Sequence, residues 1–239
     1  MLNEFPAKVR IKKKNEEFSC KSNEKLSFLN SSCCVLHSSF FFVPLPTVLK
    51  DYHKSIMTEY EKMRNGQLYR FDDKEILASV EHANRLCARL QTMTNYDDDY
   101  REVIEELIPR LPKSSCVNPP FHCDHGHGIR IGENTFINYN ATFLDGGMIT
   151  IGSRTKIGPN SQLMTPNHPI DYRDRLEPVE TCLPITIGDD CWLGNGVIVC
   201  PGVTIGDRCV IGAGSVVVKD IPADSLAVGN PCRVIRKLA

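Results

Sequence analysis

One histidine is set apart from the others in this chain of 239 residues. His168 is the only histidine after His127, and Pro166 and Pro169 restrain the backbone around it. An imidazole titrates near neutral pH and can take a proton from a weak nucleophile such as a hydroxyl group. Judged from the residues alone, His168 is therefore either a general base or a structural histidine.

A second group of reactive side chains lies between positions 122 and 127. Its members are His122, Cys123, Asp124, His125 and His127. On an extended strand, His125 and His127 would face the same side, where two imidazoles could bind a metal ion. However, the three-histidine zinc site of the γ-class carbonic anhydrases takes its ligands from separated coils, whereas these histidines share one stretch. We therefore expect no bound metal here, and a polar strand that lines a pocket.

Composition excludes several functions. The net charge is −1, and no basic stripe with aromatic residues is present, so we expect neither a nucleic-acid nor a membrane partner. The chain contains neither a P-loop nor a G-x-S-x-G motif. Its 11 cysteines form no C-x-x-C pair. An odd cysteine number in such a chain favours reduced thiols and a cytoplasmic location.

The elements that position these groups follow from a six-residue period, which is neither helical nor that of a simple alternating strand. Aliphatic residues recur at Ile187, Leu193, Val199, Ile205, Ile211 and Val217. Earlier in the chain the same period runs through Ile131, Ile137 and Phe143, and then through Ile151, Ile157 and Leu163. This repeat predicts a parallel β-helix of stacked coils. It is interrupted by two extra residues near 145–147 and by a loop over 164–186 that carries His168.

The segment before the repeat predicts helices. A short charged helix would run from Thr58 to Tyr69 and close near Gly66, and Asp72 and Glu75 have capping-box spacing for a second helix. A third helix would span about 97–108. Residues 1–56 are unlike the rest and indicate a disordered extension, with Met57 as the working start; the alternative is a segment that targets the protein to an organelle. We thus expect an extension at 1–56, a helical cap at 57–112 and the β-helix at 113–239.

Several segments together resemble the maltose and galactoside O-acetyltransferases of the hexapeptide-repeat superfamily. The resemblance covers about residues 58–239. It rests on 61–70 (EKMRNGQLYR), 121–128 (FHCDHGHG), 167–171 (NHPID), 184–188 (PITIG), 191–194 (CWLG), 201–206 (PGVTIG) and 229–236 (GNPCRVIR). It implies a left-handed β-helix with a cap of the maltose-acetyltransferase type. It also implies a homotrimer with active sites between subunits, acetyl-CoA as donor and a sugar hydroxyl as acceptor.

The resemblance also assigns roles to individual residues. It makes His168 the general base, and it places Asp124, Asn138 and Asp145 at the acceptor site, although the acidic position near 145 could fall on Gly146 instead. Glu180 would orient His168 or pair with an arginine. The residues that match coenzyme A contacts are Trp192, Asn195, Ala213, Val218, Lys219, Arg233 and Arg236.

Two alternatives remain open at this point. The acceptor could be another small hydroxyl compound, such as serine or an antibiotic, although the helical cap favours a sugar. The chain could instead be a metal-binding or purely structural β-helix, which would bind zinc and have no affinity for coenzyme A.

Overall fold

A three-sided coil of short strands makes up most of the computed structural model, which describes residues 57–238. The extension expected at 1–56 lies outside the described residues. Face A contains Ile129–Ile131, Ile149–Ile151, Ile185–Ile187 and Thr204–Ile205. Face B contains Cys116–Val117, Phe136–Ile137, Lys156–Ile157, Trp192–Leu193, Val210–Ile211, Ser225–Val228 and Arg233–Lys237. Face C contains Phe121–Cys123, Ala141–Leu144, Gln162–Met164, Ile198–Val199 and Val216–Val217.

The parallel β-helix predicted from the six-residue period is confirmed. Equivalent aliphatics of successive coils are paired in parallel register, as Ile131 is with Ile151 and Ile151 with Ile187. Every aliphatic position on the period is buried. Stacking therefore satisfies the backbone hydrogen bonds of neighbouring coils and removes their aliphatic side chains from water at the same time. Among the described strands of the three faces, only the last, Arg233–Lys237, runs antiparallel to its neighbour.

The three corners between the faces differ in regularity. The A–B corner is formed by 132–135, 152–155, 188–191 and 206–209, which are equal in length. The B–C corner, formed by 138–140, 158–161, 194–197 and 212–215, is nearly as regular. The C–A corner contains 124–128, 145–148 and 165–184. Both interruptions that the sequence predicts therefore lie on one corner, stacked on neighbouring coils.

The long C–A segment forms structure of its own. Its strands Pro166–Asn167 and Val179–Cys182 pair in antiparallel fashion, with a 3-10 turn at Asp174–Leu176 between them. The strand Tyr69–Arg70 from the helical segment pairs with the outer edge of Val179–Cys182. This three-stranded sheet joins the helical segment to the segment that carries His168.

The helical segment forms the expected cap, with α1 at Glu59–Arg64, α2 at Lys74–Leu90 and α3 at Tyr100–Leu107. The capping prediction for α2 is wrong by one residue. Asp73 is the N-cap and accepts hydrogen bonds from the backbone of Glu75 and Ile76. Asp72 is paired instead with Arg70, at 3.0 Å, so its carboxylate is not available to the helix. A capping box does form on α1, between Thr58 and Glu61.

The cap packs on the first coil. The buried side of α2 comprises Ile76, Ala83, Leu86, Cys87 and Leu90. The Tyr100 hydroxyl donates a hydrogen bond to the Val117 carbonyl at 2.6 Å. The cap therefore covers the apolar end of the coil that would otherwise face water. No helix within 57–238 has both the length and the apolar content to cross a bilayer.

Candidate active site

His168 lies at the end of the small sheet on the C–A corner. It follows the strand Pro166–Asn167, and Glu180 lies on the paired strand. The Nε2 atom of His168 is 3.5 Å from Oε2 of Glu180, with 57% of the histidine side chain exposed and 13% of the glutamate side chain. A buried carboxylate beside an exposed imidazole can orient the ring and stabilise its protonated form. Of the two roles open to Glu180, its position supports the orientation of His168.

His168 borders a cavity of about 470 Å³ between the cap and the C–A corner. The polar groups Asp124, His168 and Glu180 line one part of this cavity. The cap lines another part with apolar side chains: Phe71, Ile76, Leu77 and Val80. The Phe71 ring meets the imidazole edge-on, with 6.1 Å between ring centroids. The cavity thus offers hydrogen-bonding groups beside an apolar wall, which suits a small ligand with both kinds of surface.

A second cavity, of about 500 Å³, is also lined by His168. The long C–A segment forms most of its lining, including Asn167, Ile170 and Val179. His168 therefore borders two cavities.

Asp124 has an unusual electrostatic environment. Its burial, together with the nearby carboxylates of Asp145 and Glu180, raises its pKa to about 7. Near neutral pH its side chain is therefore present in both protonation states. It can donate a hydrogen bond to a ligand hydroxyl in one state and accept one in the other.

Asp145 occupies a different place from the one expected. It is completely buried. Its Oδ1 accepts hydrogen bonds from the backbone of His125 and Gly126 at 2.8 and 3.1 Å, and its Oδ2 accepts one from Gly128 at 2.9 Å. These bonds join the C–A corners of two successive coils. The position supports a structural task for Asp145 and does not support contact with an acceptor.

The neighbouring histidines anchor the cap. Arg64 donates to the carbonyls of Asp145 and Gly146, and its Nη2 lies 2.7 Å from Nδ1 of His127. Because a guanidinium only donates, Nδ1 of His127 must be an unprotonated acceptor. Burial and the charge of Arg64 accordingly lower the pKa of His127. The Nδ1 atom of His125 is 2.9 Å from the Ser79 hydroxyl.

Metal binding gains no support from this cluster. Within the described residues, no three His, Cys, Asp or Glu side chains are grouped closely enough to hold an ion. Nδ1 of His125 already faces Ser79, and both ring nitrogens of His127 face cap residues.

The residues predicted to contact coenzyme A lie in two separate regions. Asn195 and Ala213 follow face B strands on the B–C corner, as does Asn138, a predicted acceptor contact. Trp192 projects from face B with 58% of its surface exposed, and the last strand of that face carries Arg233 and Arg236. Val218 and Lys219 follow the last face C strand and are exposed on the C–A side, as His168 is. Face C lies between the B–C and C–A corners, so the two regions are on different sides of the coil.

Two site residues, Tyr69 and Phe71, were not predicted. Both line the cavity beside His168. Tyr69 donates its hydroxyl hydrogen to Oε1 of Glu180. The sequence predicts that the first helix runs to Tyr69, but α1 ends at Arg64 and Tyr69–Arg70 is a strand. Only the pairing of Tyr69–Arg70 with Val179–Cys182 reveals that this stretch reaches the site.

Comparisons with known proteins agree with this architecture. The family model described as bacterial transferase hexapeptide (six repeats) matches residues 184–219. The model described as maltose acetyltransferase hexapeptide capping motif matches residues 62–111. The fold and the two matches define a capped hexapeptide-repeat transferase.

Solved structures give the same result over nearly their full length. A maltose O-acetyltransferase from Clostridium difficile 630 is 43% identical, with 77% of this chain and 98% of that chain covered and a TM-score of 0.74. A hexapeptide-repeat acetyltransferase from Vibrio cholerae, solved with acetyl coenzyme A, is 43% identical, with coverage of 77% and 100% and a TM-score of 0.72. A galactoside acetyltransferase in complex with coenzyme A is 36% identical, with coverage of 77% and 92% and a TM-score of 0.73. The chain belongs to the hexapeptide-repeat acetyltransferase family, in the branch of the maltose and galactoside acetyltransferases.

Proposed function

We propose that this protein transfers the acetyl group of acetyl-CoA to a hydroxyl group of a sugar, such as maltose, glucose or a galactoside. The observation that carries the proposal is the His168–Glu180 pair, which opens onto a cavity shared with Asp124. A base, a carboxylate that stabilises its protonated form, and a group that can bind a hydroxyl are the parts that acyl transfer to an alcohol needs. The relatives described as maltose and galactoside acetyltransferases support a sugar as acceptor.

In the proposed mechanism His168 moves the proton. Acetyl-CoA supplies an activated acetyl thioester. Asp124 binds an acceptor hydroxyl in the cavity, and His168 removes the proton of the reacting hydroxyl as its oxygen attacks the thioester carbonyl. Glu180 stabilises the imidazolium through its charge. Backbone N–H groups stabilise the oxyanion, and His168 then returns the proton to the departing thiolate sulfur.

The exposed groups on face B suit the donor. Trp192 offers an uncovered aromatic surface for the pantetheine arm, and Arg233 and Arg236 offer cationic groups for its phosphates. Asn195 and Ala213 lie along the same edge of the coil and would contact the arm, while Val218 and Lys219 would contact it beside His168. Asn138 remains a proposed acceptor contact at the B–C corner.

We further propose that the active site is completed by another copy of the chain, in a homotrimer. Most of the proposed donor contacts lie on face B or the B–C corner, whereas the proposed base lies on the C–A corner with Val218 and Lys219, so a neighbouring subunit would have to bring the two regions together. The long C–A segment supports this arrangement because it exposes large apolar side chains: Ile170 by 96%, Leu176 by 79% and Tyr172 by 66%. A neighbouring subunit would cover this surface.

One observation favours a second candidate acceptor. The cap side of the cavity is apolar, through Phe71, Leu77 and Val80. A hydroxyl compound with an apolar ring, as in some antibiotics, would cover this wall better than an unsubstituted sugar.

The test is an acceptor panel. The full chain is incubated with acetyl-CoA and maltose, glucose, a galactoside, serine or a hydroxyl-bearing antibiotic, and free thiol is recorded. Sugar-dependent thiol release, with the acetyl ester found by mass spectrometry, is the expected result. Release with serine or the antibiotic alone would replace the sugar by the second acceptor class. No release with any hydroxyl compound would overturn the proposed function.

A further inference from the structure

We propose that Tyr69, a cap residue, is a positioning residue for the general base: its hydroxyl holds the Glu180 carboxylate, and that carboxylate holds His168. The proposal rests on the proposed function, in which His168 is the base. It adds a function for the cap, because Tyr69 belongs to the cap segment that precedes the coil.

The backbone sets this contact. Tyr69 and Glu180 are direct partners in the antiparallel pair formed by Tyr69–Arg70 and Val179–Cys182. Directly opposite side chains on an antiparallel pair lie on the same face of the sheet and within reach of each other. Sheet pairing therefore places the phenol against the carboxylate whatever the ligand.

The two oxygens of Glu180 have different partners. Oε1 accepts the hydrogen bond from the Tyr69 hydroxyl, and Oε2 faces Nε2 of His168 at 3.5 Å. Tyr69 is 3% exposed, and 13% of the Glu180 side chain is exposed. With one oxygen fixed by a buried phenol, the carboxylate loses rotational freedom, and its other oxygen is held towards the imidazole.

The surroundings keep Tyr69 a donor. The Cys182 thiol lies 3.3 Å from its hydroxyl, and burial together with Cys182 and Glu180 raises the pKa of Tyr69 far above its ordinary value. Among the described residues, Asp124 is the other acidic group that lines the same cavity as Glu180. Ionised Asp124 would repel the Glu180 carboxylate, which gives the fixed hydrogen bond from Tyr69 a further role.

A second histidine–glutamate pair, on the cap surface, can be compared with the His168–Glu180 pair. His82 and Glu106 on the cap surface are 3.4 Å apart, and 58% of the His82 side chain is exposed, as in the His168 pair. However, 46% of the Glu106 side chain is exposed, and among the described residues no tyrosine hydroxyl donates to it. The buried glutamate and the phenol behind it distinguish the His168 pair from an ordinary surface pair.

The experiment removes the hydroxyl alone, with Tyr69→Phe in the full chain. We expect kcat to fall about tenfold with an unchanged KM for acetyl-CoA, because a misplaced base slows the chemical step and leaves donor binding intact. The matched control is Tyr96→Phe, which removes a hydroxyl from a tyrosine that is 88% exposed.

A double-variant cycle separates positioning from packing. Glu180→Gln should lower kcat further than Tyr69→Phe does, and adding Tyr69→Phe to it should change nothing more. Additive effects would contradict action through Glu180. A lower melting temperature with an unchanged kcat would show a structural role and overturn the proposal.

Failure of this inference and failure of the proposed function are distinguishable. Wild-type protein that releases no thiol overturns the function, whereas an active wild type matched by Tyr69→Phe overturns only the positioning role. Should the Phe variant fail to fold, 3-fluorotyrosine at position 69 takes its place, because it keeps the ring and is a stronger donor. Its kcat should differ from that of wild type, and an unchanged kcat overturns the proposal.

Discussion

The A–B corner of the coil is regular, whereas the C–A corner of the same coil is irregular. At the A–B corner every turn has the same length, and Asn134, Arg154, Asp190 and Arg208 each adopt a left-handed conformation with φ between 56° and 59°. At the C–A corner the turns range in length from 145–148 to 165–184, and side chains rather than repeated turn geometry hold the backbone. The regular corner stacks the coil, and the irregular corner contains the cavities and His168. In this molecule, departures from the repeat mark the site.

The electrostatics of the two corners differ in the same way. On the A–B corner, hydrogen bonds from Arg154 and Arg208 lower the pKa values of Asp190 and Asp224. On the C–A corner, burial and neighbouring carboxylates raise the pKa of Asp124 to about 7. Paired, solvated charges stabilise the turns of one corner, while the other keeps an acidic group that can titrate beside a ligand.

The largest expected effect is the loss of activity in His168→Ala. We expect turnover to fall by about 10²–10⁴-fold with the fold retained, because a positioned base contributes a factor of this size. Steady-state thiol release and a thermal melt measure the two properties. His82→Ala is the matched control, since it removes an equally exposed histidine that also faces a glutamate. Near-wild-type turnover of His168→Ala would show that the reaction does not take place at the C–A corner.

Asp145→Asn should cause the next largest effect, on stability. Its carboxylate accepts three backbone hydrogen bonds in a buried place, so we expect a loss of about 2–4 kcal/mol in the free energy of unfolding. Urea unfolding at pH 7 measures it. Asp190→Asn on the A–B corner is the control and should change little, because its partner Arg154 is exposed. Equal losses in the two variants would contradict the distinction between the corners.

His168 and Asp145 show what can and what cannot be predicted from the sequence. The six-residue period predicts the coil, since one aliphatic per strand must point inward whatever the corners do. The break in the period predicts that His168 leaves the coil. The sequence does not predict that the Asp145 side chain points inward and accepts hydrogen bonds from the backbone of the previous coil. That contact depends on how the C–A turns of the two coils stack. Nor does it predict Tyr69 at the site, since strand pairing over more than a hundred positions leaves no local signal.

Asp124→Asn should have a smaller effect that depends on pH. Because the pKa of Asp124 is raised from 3.8 to about 7, the folded state binds a proton that the unfolded state has released at intermediate pH. Its stabilising contribution is complete below pH 4 and is lost as pH rises through 7. The variant cannot ionise, so its stability relative to wild type should rise between pH 4 and 8, on the order of 2 kcal/mol. Urea unfolding at both pH values measures this, and parallel pH curves would contradict a raised pKa.

The smallest effect is expected for Arg208→Ala on the A–B corner. Arg208 makes two hydrogen bonds to Asp224, at 2.6 and 2.9 Å, but both side chains are largely solvated, at 55% and 41% exposure. The pair loses side-chain entropy and is screened by salt, so the melting temperature at 0.15 M salt should match wild type. The pKa of Asp224, read by NMR, should nevertheless rise towards its ordinary 3.8, since Arg208 is what lowers it. A changed pKa of Asp224 with an unchanged melting temperature would show that the backbone hydrogen bonds of the coil stabilise the A–B corner. A large drop in the melt would instead make the ion pairs part of the scaffold.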